Sequence, residues 1–418
     1  MLRFSGTSAK GTITPPPSKS HTHRAFFLSA LSSNECKVTN ALDSQDTRAT
    51  LNAVRAIGAS VESNGDSIMI RGGELRAPAG TVDAENSGTT MRLFAGIASM
   101  FDVPVTITGD ASLRSRPMGA LLDALSEMGV HCASDSGRAP VTIHGPNRGG
   151  KVNIRGDVSS QFISSLMMAA PMLTNDTVMN IEGKLSSRPY VNITADMMGR
   201  FGADVVFNGT QVRIKGGTGY RGCDVTVPSD MSAAAFPLTA GALGGSVTAR
   251  NMDLNDPQGD KRIIDILKKA GARVTVNGGD VTASSGRLRP MDVDMNDIPD
   301  LFPIVAVLLS TAKGKSRLYG APQLRFKESD RIKATVDMLS ALGADITETD
   351  DGCIISGVAR LKGGTVDHRE DHRILMAAAV ASLVCDGEVS MTDSKCYDIS
   401  YPCFIDHMRL LGMNAEVR

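Results

Sequence analysis

Six short polar segments, each placed directly before an apolar stretch, hold most of the residues that could do chemistry. Ser, Thr, Asn, Asp and Gly dominate them, and these residues cap helix N-termini, so capping alone would account for any single segment. Capping does not account for their cations, because a positive charge at a helix start opposes the helix dipole unless an anion is bound there. The segments are residues 16–24, 85–92, 157–162, 228–236, 296–302 and 370–376, and the cations are Lys19, Arg24, Arg92 and Arg373.

Two further segments are rich in charge. Residues 113–119 place two arginines before a proline that can start a helix. Residues 324–334 hold six charged side chains, and five of them fall within residues 325–331, a length of one or two helical turns. The commoner meaning of the second run is a solvated helix face with i,i+4 ion pairs. The other interpretation is an anion site, in which Lys327 and Arg331 share a helix face and bind the anion. Glu328, the residue after Lys327, would then lie beside the anion and could donate a proton. Helix N-termini also bind anions, so the combination predicts a site for multiply anionic small molecules.

A sixfold repeat supplies the elements that must position these residues. An amphipathic helix pattern ending in Gly recurs at intervals of 69 to 73 residues, and Gly just past a helix end adopts the left-handed conformation that closes the last turn. A second helix pattern, apolar nearly all round and therefore buried, lies between successive markers. The marker glycines are Gly58, Gly129, Gly202, Gly271, Gly343 and Gly412.

The pattern of each repeat, about 70 residues long, predicts the order strand, buried helix, strand, amphipathic helix, strand, strand. The predicted fold class is therefore α/β. Six repeats exceed what one core usually serves, so we expect two lobes of three repeats each. The predicted lobes are residues 15–226 and residues 1–14 with 227–418. The last repeat lacks a final strand, which residues 2–4 could supply. We expect the active site in the cleft between the lobes.

Composition narrows the functional classes. Lys and Arg total 44 against 45 Asp and Glu, so no overall field attracts nucleic acid or an anionic membrane. The most apolar run, residues 301–312, is too short to span a bilayer, and no targeting segment is evident, so we expect a cytoplasmic protein. Seven scattered cysteines form no C-x-x-C pair, so they predict reduced thiols and no metal site.

Eight motifs, in order along the chain, carry a resemblance to a known family. They are P-x-S-K-S-x-x-x-R, N-S-G-T-T-x-R, R-P-M-G, V-S-S-Q-F, S-R-P-Y, N-D-I-P-D, K-E-S-D-R and D-H-R. Together they resemble the 5-enolpyruvylshikimate-3-phosphate (EPSP) synthase family of enolpyruvyl transferases. The resemblance implies a two-lobed enolpyruvyl transferase fold (an inside-out α/β barrel) of six βαβαββ repeats, three per lobe. It also implies no metal or organic cofactor.

The resemblance further implies a reaction of the shikimate pathway to chorismate and the aromatic amino acids. The enolpyruvyl group of phosphoenolpyruvate passes to the 5-hydroxyl of shikimate 3-phosphate, and phosphate is released from a tetrahedral intermediate. Asp300 would take the hydroxyl proton, Glu328 would protonate C3, and Lys19 would stabilise charge or share in proton transfer. We expect burial to raise the pKa of Glu328, since it must be protonated to act as an acid.

By the same resemblance, the implied ligands fall into two sets. Those for shikimate 3-phosphate are Lys19, Ser20, Arg24, Ser159, Ser160, Gln161, Ser187, Asp300, Gln323 and Lys327. Those for phosphoenolpyruvate are Lys19, Gly88, Arg116, Gln161, Arg331 and Arg373. Bidentate Arg suits the planar carboxylate and phosphate groups of such substrates. These two small molecules are the expected partners, and a monomer is the expected state.

Two departures and two alternatives accompany this interpretation. Ile399 stands where the family usually carries a Lys that helps to bind phosphoenolpyruvate, and Lys395 lies four residues earlier. Gln323 replaces an Asn common in one branch of the family but keeps the amide.

The nearest alternative is UDP-N-acetylglucosamine enolpyruvyl transferase, which usually carries a Cys that residues 110–115 lack. A non-catalytic anion-binding relative would lose the proton-transfer groups, which are present here.

Overall fold

The computed structural model describes residues 1–417, and this part of the chain forms 24 strands and 13 α-helices. The strands of the first half are β1 Leu2–Ser5, β2 Lys10–Ile13, β3 Glu35–Thr39, β4 Ser60–Asn64, β5 Ser67–Arg71, β6 Val82–Asp83, β7 Val105–Thr108, β8 His131–Asp135, β9 Arg138–His144, β10 Gly150–Arg155, β11 Thr177–Glu182, β12 Val205–Phe207 and β13 Gln211–Ile214. Those of the second half are β14 Val225–Thr226, β15 Ser246–Ala249, β16 Arg273–Asn277, β17 Asp280–Ser284, β18 Asp292–Asp294, β19 Lys315–Tyr319, β20 Asp345–Thr349, β21 Gly352–Ser356, β22 Gly364–Val366, β23 Val389–Met391 and β24 Asn414–Val417.

The helices follow the predicted alternation of buried and amphipathic segments. They are α1 Lys19–Leu31, α2 Gln45–Ala56, α3 Gly88–Ala98, α4 Ala111–Arg114, α5 Gly119–Glu127, α6 Ser160–Ala169, α7 Arg188–Arg200, α8 Met231–Gly244, α9 Ile263–Lys269, α10 Phe302–Leu309, α11 Arg331–Ala341, α12 His372–Ala381 and α13 Phe404–Leu410. Short 3-10 helices include Pro299–Leu301, Pro322–Phe326 and Cys396–Ile399. None of the helices within residues 1–417 is long and apolar enough to cross a membrane.

Six four-stranded sheets share one topology. In the second repeat, β6 pairs in parallel with β7, β7 pairs antiparallel with β9, and β9 pairs antiparallel with β8, in the order β6-β7-β9-β8. The buried helix α3 connects β6 to β7, and the amphipathic helix α5 precedes β8. The predicted order of elements within a repeat is therefore confirmed.

Three strands join sheets that are distant from them in sequence. β1 lies between β23 and β24 and completes the last sheet. β2 pairs in parallel with β15, and β14 pairs in parallel with β3, so the first and fourth repeats each take a strand from beyond their own segment. The chain divides into two compact units, Met1–Pro16 with Ser229–Arg418 and Pro17–Pro228. Each unit contains three of the six sheets.

Each unit has its own core, and three buried helices contribute to each core. In the unit of Pro17–Pro228 these are α1, α3 and α6, and in the other they are α8, α10 and α12. Every residue of α10 is buried, because no face of its sequence carries a polar side chain. The prediction of six buried helices is confirmed.

The marker glycines end the amphipathic helices as predicted. All six have positive φ values, from 83° at Gly129 to 100° at Gly58. In five of the repeats the residue after the glycine donates its N–H to a carbonyl five residues earlier, as Val130 does to Leu125 at 3.0 Å. This is the Schellman pattern that favours Gly at the left-handed position.

Candidate functional site

The unit of Pro17–Pro228 positions its polar residues at the first turns of its buried helices. Ser18 caps α1, which places Lys19 and Ser20 in the first turn. The ammonium of Lys19 lies 3.0 Å from Oδ2 of Asp46, and both side chains are largely buried. The Asp46 carboxylate therefore neutralises the charge of Lys19. The position of Lys19 at a helix start does not by itself require a bound anion.

Arg24 is a buried cation surrounded by neutral groups. Its guanidinium donates to the Thr194 hydroxyl at 2.7 Å, the Ser20 carbonyl at 2.9 Å, the Ser164 hydroxyl at 3.3 Å and the Tyr190 carbonyl at 3.3 Å. Burial lowers its pKa from 12.5 to about 10. Four of its five N–H groups are already engaged, so at most one remains to contact a substrate.

A second set connects the starts of α3 and α6. Gln161 donates from Nε2 to the Thr89 hydroxyl at 2.9 Å and accepts at Oε1 from Arg92 at 2.8 Å. Arg116 donates to Oδ1 of Asn86 at 3.0 Å. Gly88 is the first residue of α3, and a Cβ atom added there would lie 3.0 Å from Nη1 of Arg116. The structure therefore brings Gly88 and Arg116 together.

Three predicted serines lie at the starts of α6 and α7. Ser159 caps α6 by accepting the N–H of Gln161 at 3.3 Å, and Ser160 is its first residue. Ser187 occupies the cap position of α7 with φ of 57° and makes no side-chain capping bond. The left-handed region is strained for a residue other than Gly, and such strain concentrates at functional sites. Capping thus accounts for Ser159 but not for Ser187.

In the other unit, Arg331 lies at the centre of a carboxylate network. Its Nη1 is 3.0 Å from Asp300, its Nη2 is 2.5 Å from Glu328, and its Nε is 3.0 Å from Asp371. The guanidinium is almost fully buried. Burial lowers the pKa of Arg331, but the three carboxylates outweigh it and raise the pKa above its ordinary value.

Asp300 joins two arginines. One carboxylate oxygen accepts from Arg331 and the other accepts from Nη2 of Arg373 at 2.8 Å. Burial opposes ionisation of Asp300, but Arg373, Lys327 and Arg331 together hold its pKa below the ordinary value. Asp300 is therefore ionised at neutral pH, as a proton acceptor must be.

The segment carrying Lys327 and Glu328 differs from the helical face that its spacing predicts. The 3-10 helix ends at Phe326, Lys327 is extended, and Asp330 caps a new helix that begins at Arg331. The prediction that Lys327 and Arg331 share a helix face is therefore wrong, because the Asp330 cap starts α11 only at Arg331.

The remaining predicted residue of this unit is Gln323. It is buried in the 3-10 helix Pro322–Phe326, with its Nε2 3.2 Å from the Asn296 carbonyl and its Oε1 buried without a hydrogen bond. A buried acceptor of this kind is costly to leave unsatisfied. It therefore marks a place where a ligand donor would be stabilising.

Comparisons with known proteins decide the family. Residues 5–408 match the family model described as EPSP synthase (3-phosphoshikimate 1-carboxyvinyltransferase). The chain belongs to the EPSP synthase family. Relatives named 3-phosphoshikimate 1-carboxyvinyltransferase are 50% identical in Methanocorpusculum labreanum, where the match covers 100% of this chain and 99% of the relative, and 42% identical in Methanocella arvoryzae, where it covers 100% of both.

Solved structures place the fold in the same family. An EPSP synthase from Acinetobacter baumannii superposes with a TM-score of 0.82 at 30% identity, covering 100% of this chain and 99% of that one. The predicted EPSP synthase fold class is therefore confirmed, and so is the resemblance on which it was based.

Ile399, where the EPSP synthase resemblance leads one to expect a Lys, is a core residue in this structure. It is 8% exposed at the end of the 3-10 helix Cys396–Ile399 and belongs to the apolar core of its unit. Lys395 precedes that helix with φ of 55° and is exposed. An apolar side chain packed into the core supplies no charge to a substrate.

Two residues that sequence reasoning did not select adjoin the EPSP synthase residues Asp300 and Arg331. Asp371 was treated only as part of a polar segment, yet it is fully buried, caps α12 and binds Arg331.

Asp260 is the second of these residues. It accepts a hydrogen bond from Ser232 at one carboxylate oxygen, and its other carboxylate oxygen is buried without a hydrogen bond. Burial and the neighbouring Asp300 raise the pKa of Asp260 from 3.8 to about 7. Its setting, Q-G-D-K-R before α9, looks like ordinary helix-start charge, so no local signal distinguishes it.

Proposed function

We propose that this chain transfers the enolpyruvyl group of phosphoenolpyruvate to the 5-hydroxyl of shikimate 3-phosphate and releases phosphate. Membership of the EPSP synthase family over nearly the whole chain is the observation that carries the proposal. The Asp300, Glu328 and Arg331 constellation supports it, because addition followed by elimination needs a base, an acid and cationic groups for the phosphoryl oxygens.

The addition step involves two proton transfers. The 5-hydroxyl oxygen bonds to C2 while its proton passes to Asp300, and C3 receives a proton from Glu328 to complete a methyl group. In the second step the bond from C2 to the phosphate oxygen breaks and C3 returns a proton to Glu328 as the double bond re-forms. The proton held by Asp300 passes to the departing phosphate. Lys19 stabilises the charge that develops, and phosphate leaves.

In this proposal, substrate binding to the network around Arg331 makes Glu328 an acid. Three carboxylates (Asp300, Glu328 and Asp371) and three cations (Lys327, Arg331 and Arg373) lie together and balance in charge. An anionic substrate that binds Arg331 competes with Glu328 for the same guanidinium. The displaced carboxylate then faces the substrate's negative charge, which raises its pKa and promotes protonation.

We further propose two sets of ligands for the substrate pair. The shikimate 3-phosphate ligands are Lys19, Ser20, Arg24, Ser159, Ser160, Gln161, Ser187, Asp300, Gln323 and Lys327, and those for phosphoenolpyruvate are Lys19, Gly88, Arg116, Gln161, Arg331 and Arg373. A monomeric state and a cytoplasmic location remain predictions, and light scattering of the purified chain checks the first.

Phosphate release from phosphoenolpyruvate tests the proposal. We expect release with shikimate 3-phosphate as acceptor and none with UDP-N-acetylglucosamine. Asp300→Ala should lower the rate by about 10² to 10⁴-fold, while Asp292→Ala, which alters an exposed carboxylate on β18, should not. Release with neither acceptor would overturn the enzyme assignment, and release with UDP-N-acetylglucosamine alone would favour the other transferase.

A further inference from the structure

A cluster of three metal-binding side chains lies beside the Arg331 network without being part of it. The ligand atoms of His368, Glu370 and Cys396 all lie within 4.8 Å of one another. His368 and Cys396 are buried, and Glu370 is exposed. No other such group of three occurs among residues 1–417. We propose that these residues form a binding site for one divalent cation of the zinc class.

The hydrogen bonding of His368 prepares the ring to bind a metal. Its Nε2 lies 2.9 Å from the backbone carbonyl of Thr392, so we assign the proton to that nitrogen. The lone pair of Nδ1 is then directed to the side on which Cys396 lies. A ligating His usually donates its other N–H to a carbonyl or carboxylate in this way, which fixes both tautomer and ring orientation.

The spacing of the sulfur and nitrogen atoms fits a shared ion. Sγ of Cys396 is 3.8 Å from Nδ1 of His368, near the outer limit of a hydrogen bond to sulfur. With a Zn–S bond of about 2.3 Å and a Zn–N bond of about 2.0 Å, that separation corresponds to an S–Zn–N angle of roughly 120°, close to tetrahedral. The exposed Glu370 carboxylate closes the site from the solvent side.

The backbone holds His368 and Glu370 together in a tight turn. The N–H of Asp371 donates to the His368 carbonyl at 2.9 Å, and both intervening residues, Arg369 and Glu370, have positive φ values of 52° and 55°. Two successive residues other than Gly in this region are unusual. The turn therefore presents an imidazole and a carboxylate two positions apart.

The ligand set selects the class of ion. One thiolate, one imidazole and one carboxylate suit Zn²⁺ or Co²⁺ better than Mg²⁺ or Ca²⁺, which prefer oxygen ligands alone. Three protein ligands leave the fourth tetrahedral position for water. The thiol proton is released to solvent as the sulfur binds. Sequence spacing does not indicate the site, because 28 residues separate His368 from Cys396.

A bound ion would connect the turn before α12 to the 3-10 helix Cys396–Ile399. Asp371 follows Glu370 directly, caps α12 and binds Arg331. The ion would therefore stabilise the segment that positions Asp371 and Arg373. It should raise the melting temperature of the full chain, since any ligand bound only by the folded state does so.

Cobalt titration of the chelator-treated full chain tests the site. We expect a thiolate-to-cobalt charge-transfer absorption that saturates at one ion per chain, that Zn²⁺ abolishes, and that Cys396→Ser lacks. His368→Gln should weaken binding by at least the roughly 10-fold typical of lost outer-shell partners. Glu370→Gln, at an exposed position, should also weaken binding and should fold even if Cys396→Ser does not.

Cys403→Ser is the matched control. Cys403 also lies beside a histidine, with its Sγ 3.9 Å from Nδ1 of His407, but the Tyr401 hydroxyl is 2.9 Å from that nitrogen. We expect this variant to keep the absorption and the zinc-dependent rise in melting temperature. The site is refuted if the wild-type chain shows no thiolate absorption, if Cys396→Ser retains it, if Cys403→Ser loses it equally, or if neither His368→Gln nor Glu370→Gln weakens binding.

Discussion

Arg331 shows how one side chain organises the chemistry of its unit. It binds Glu328, Asp300 and Asp371, which lie 3, 31 and 40 residues away in sequence. Such a buried cation is stable only because its attraction to the carboxylates offsets the free-energy cost of removing it from water. If Arg331 binds phosphoenolpyruvate as proposed, the substrate competes with Glu328 for this guanidinium.

The role of Glu328 can be tested by removing its acidity while keeping its shape. Glu328→Gln should lower kcat for phosphate release by about 10² to 10⁴-fold, because an amide cannot protonate C3. Glu348→Gln is a suitable control, since Glu348 also pairs with an arginine, Arg325, but lies on β20 outside the network. An unchanged rate in Glu328→Gln would exclude the residue as the acid.

A substitution at Gly88 tests whether Arg116 must keep its present position to bind phosphoenolpyruvate. In Gly88→Ala the new Cβ would lie 3.0 Å from Nη1 of Arg116, so the guanidinium must shift by a few tenths of an ångström. We expect a severalfold higher KM for phosphoenolpyruvate with a smaller change in kcat. Gly119→Ala, at the first residue of α5 with nothing within 4 Å, should change neither constant. Equal effects of the two substitutions would contradict this explanation.

At the scale of elements, the helix starts stabilise the fold and also position the predicted site residues. The same Ser and Asp side chains that cap α1, α6, α11 and α12 set where the neighbouring cations and serines lie. Where a carboxylate both caps one helix and pairs with another, the two helices are coupled. Asp371 does this by capping α12 and binding the first residue of α11.

Asp371 should therefore matter more to stability than an ordinary cap. Asp371→Ala removes a fully buried partner of Arg331, and we expect a loss of about 3 kcal/mol in the free energy of unfolding, the low end for a broken buried pair because two carboxylates remain. Asp330→Ala removes a partly exposed cap and should cost about 1 kcal/mol. Denaturant titration of both variants compares them, and equal losses would show that the pairing adds nothing to capping.

At the scale of the whole molecule, the ligands proposed for phosphoenolpyruvate are distributed over both units. Arg116 belongs to Pro17–Pro228, and Arg331 belongs to the other unit. If both bind phosphoenolpyruvate, Arg116→Lys and Arg331→Lys should each raise its KM by about tenfold or more, because Lys cannot form a bidentate pair. Arg213→Lys, on the exposed face of β13, is the control. An effect of only one of the two arginines would restrict the donor site to one unit.

Asp260 should make the free energy of unfolding fall as pH rises, which is opposite to the effect of an aspartate whose pKa is lowered by folding. Because its pKa rises from 3.8 to about 7 on folding, the native state holds more protons than the unfolded state between those values. The contribution of Asp260 to the free energy of unfolding therefore falls as pH rises through that window, by at most about 1.4 kcal/mol per pH unit. Asp260→Asn removes this slope.

Denaturant titrations of the wild-type chain and Asp260→Asn at about pH 5 and about pH 8 measure the effect. The stability of the wild-type chain relative to the variant should be greater at the lower pH. A difference between the two proteins that does not change with pH would show that Asp260 titrates normally in the folded chain.

Much of the architecture follows from local chemistry and was therefore readable in the sequence. Gly129 and its equivalents end helices because only glycine enters the left-handed region without strain, and the apolar run of α10 predicts burial on every side. The motifs that carry Lys19, Gly88 and Arg331 also identify the family, since each is a short contiguous string.

Only the tertiary structure decided which distant residues meet. The pairing of β1 with β23 and β24, the position of Asp260 beside Asp300, and the approach of Cys396 to His368 join segments between 28 and several hundred residues apart. No spacing rule reports such contacts, because they arise when the cores bring helix starts and sheet edges together. The break between Lys327 and Arg331 is shorter in range but has the same cause. A capping bond and a buried ion pair outweighed the helical periodicity that the charges suggested.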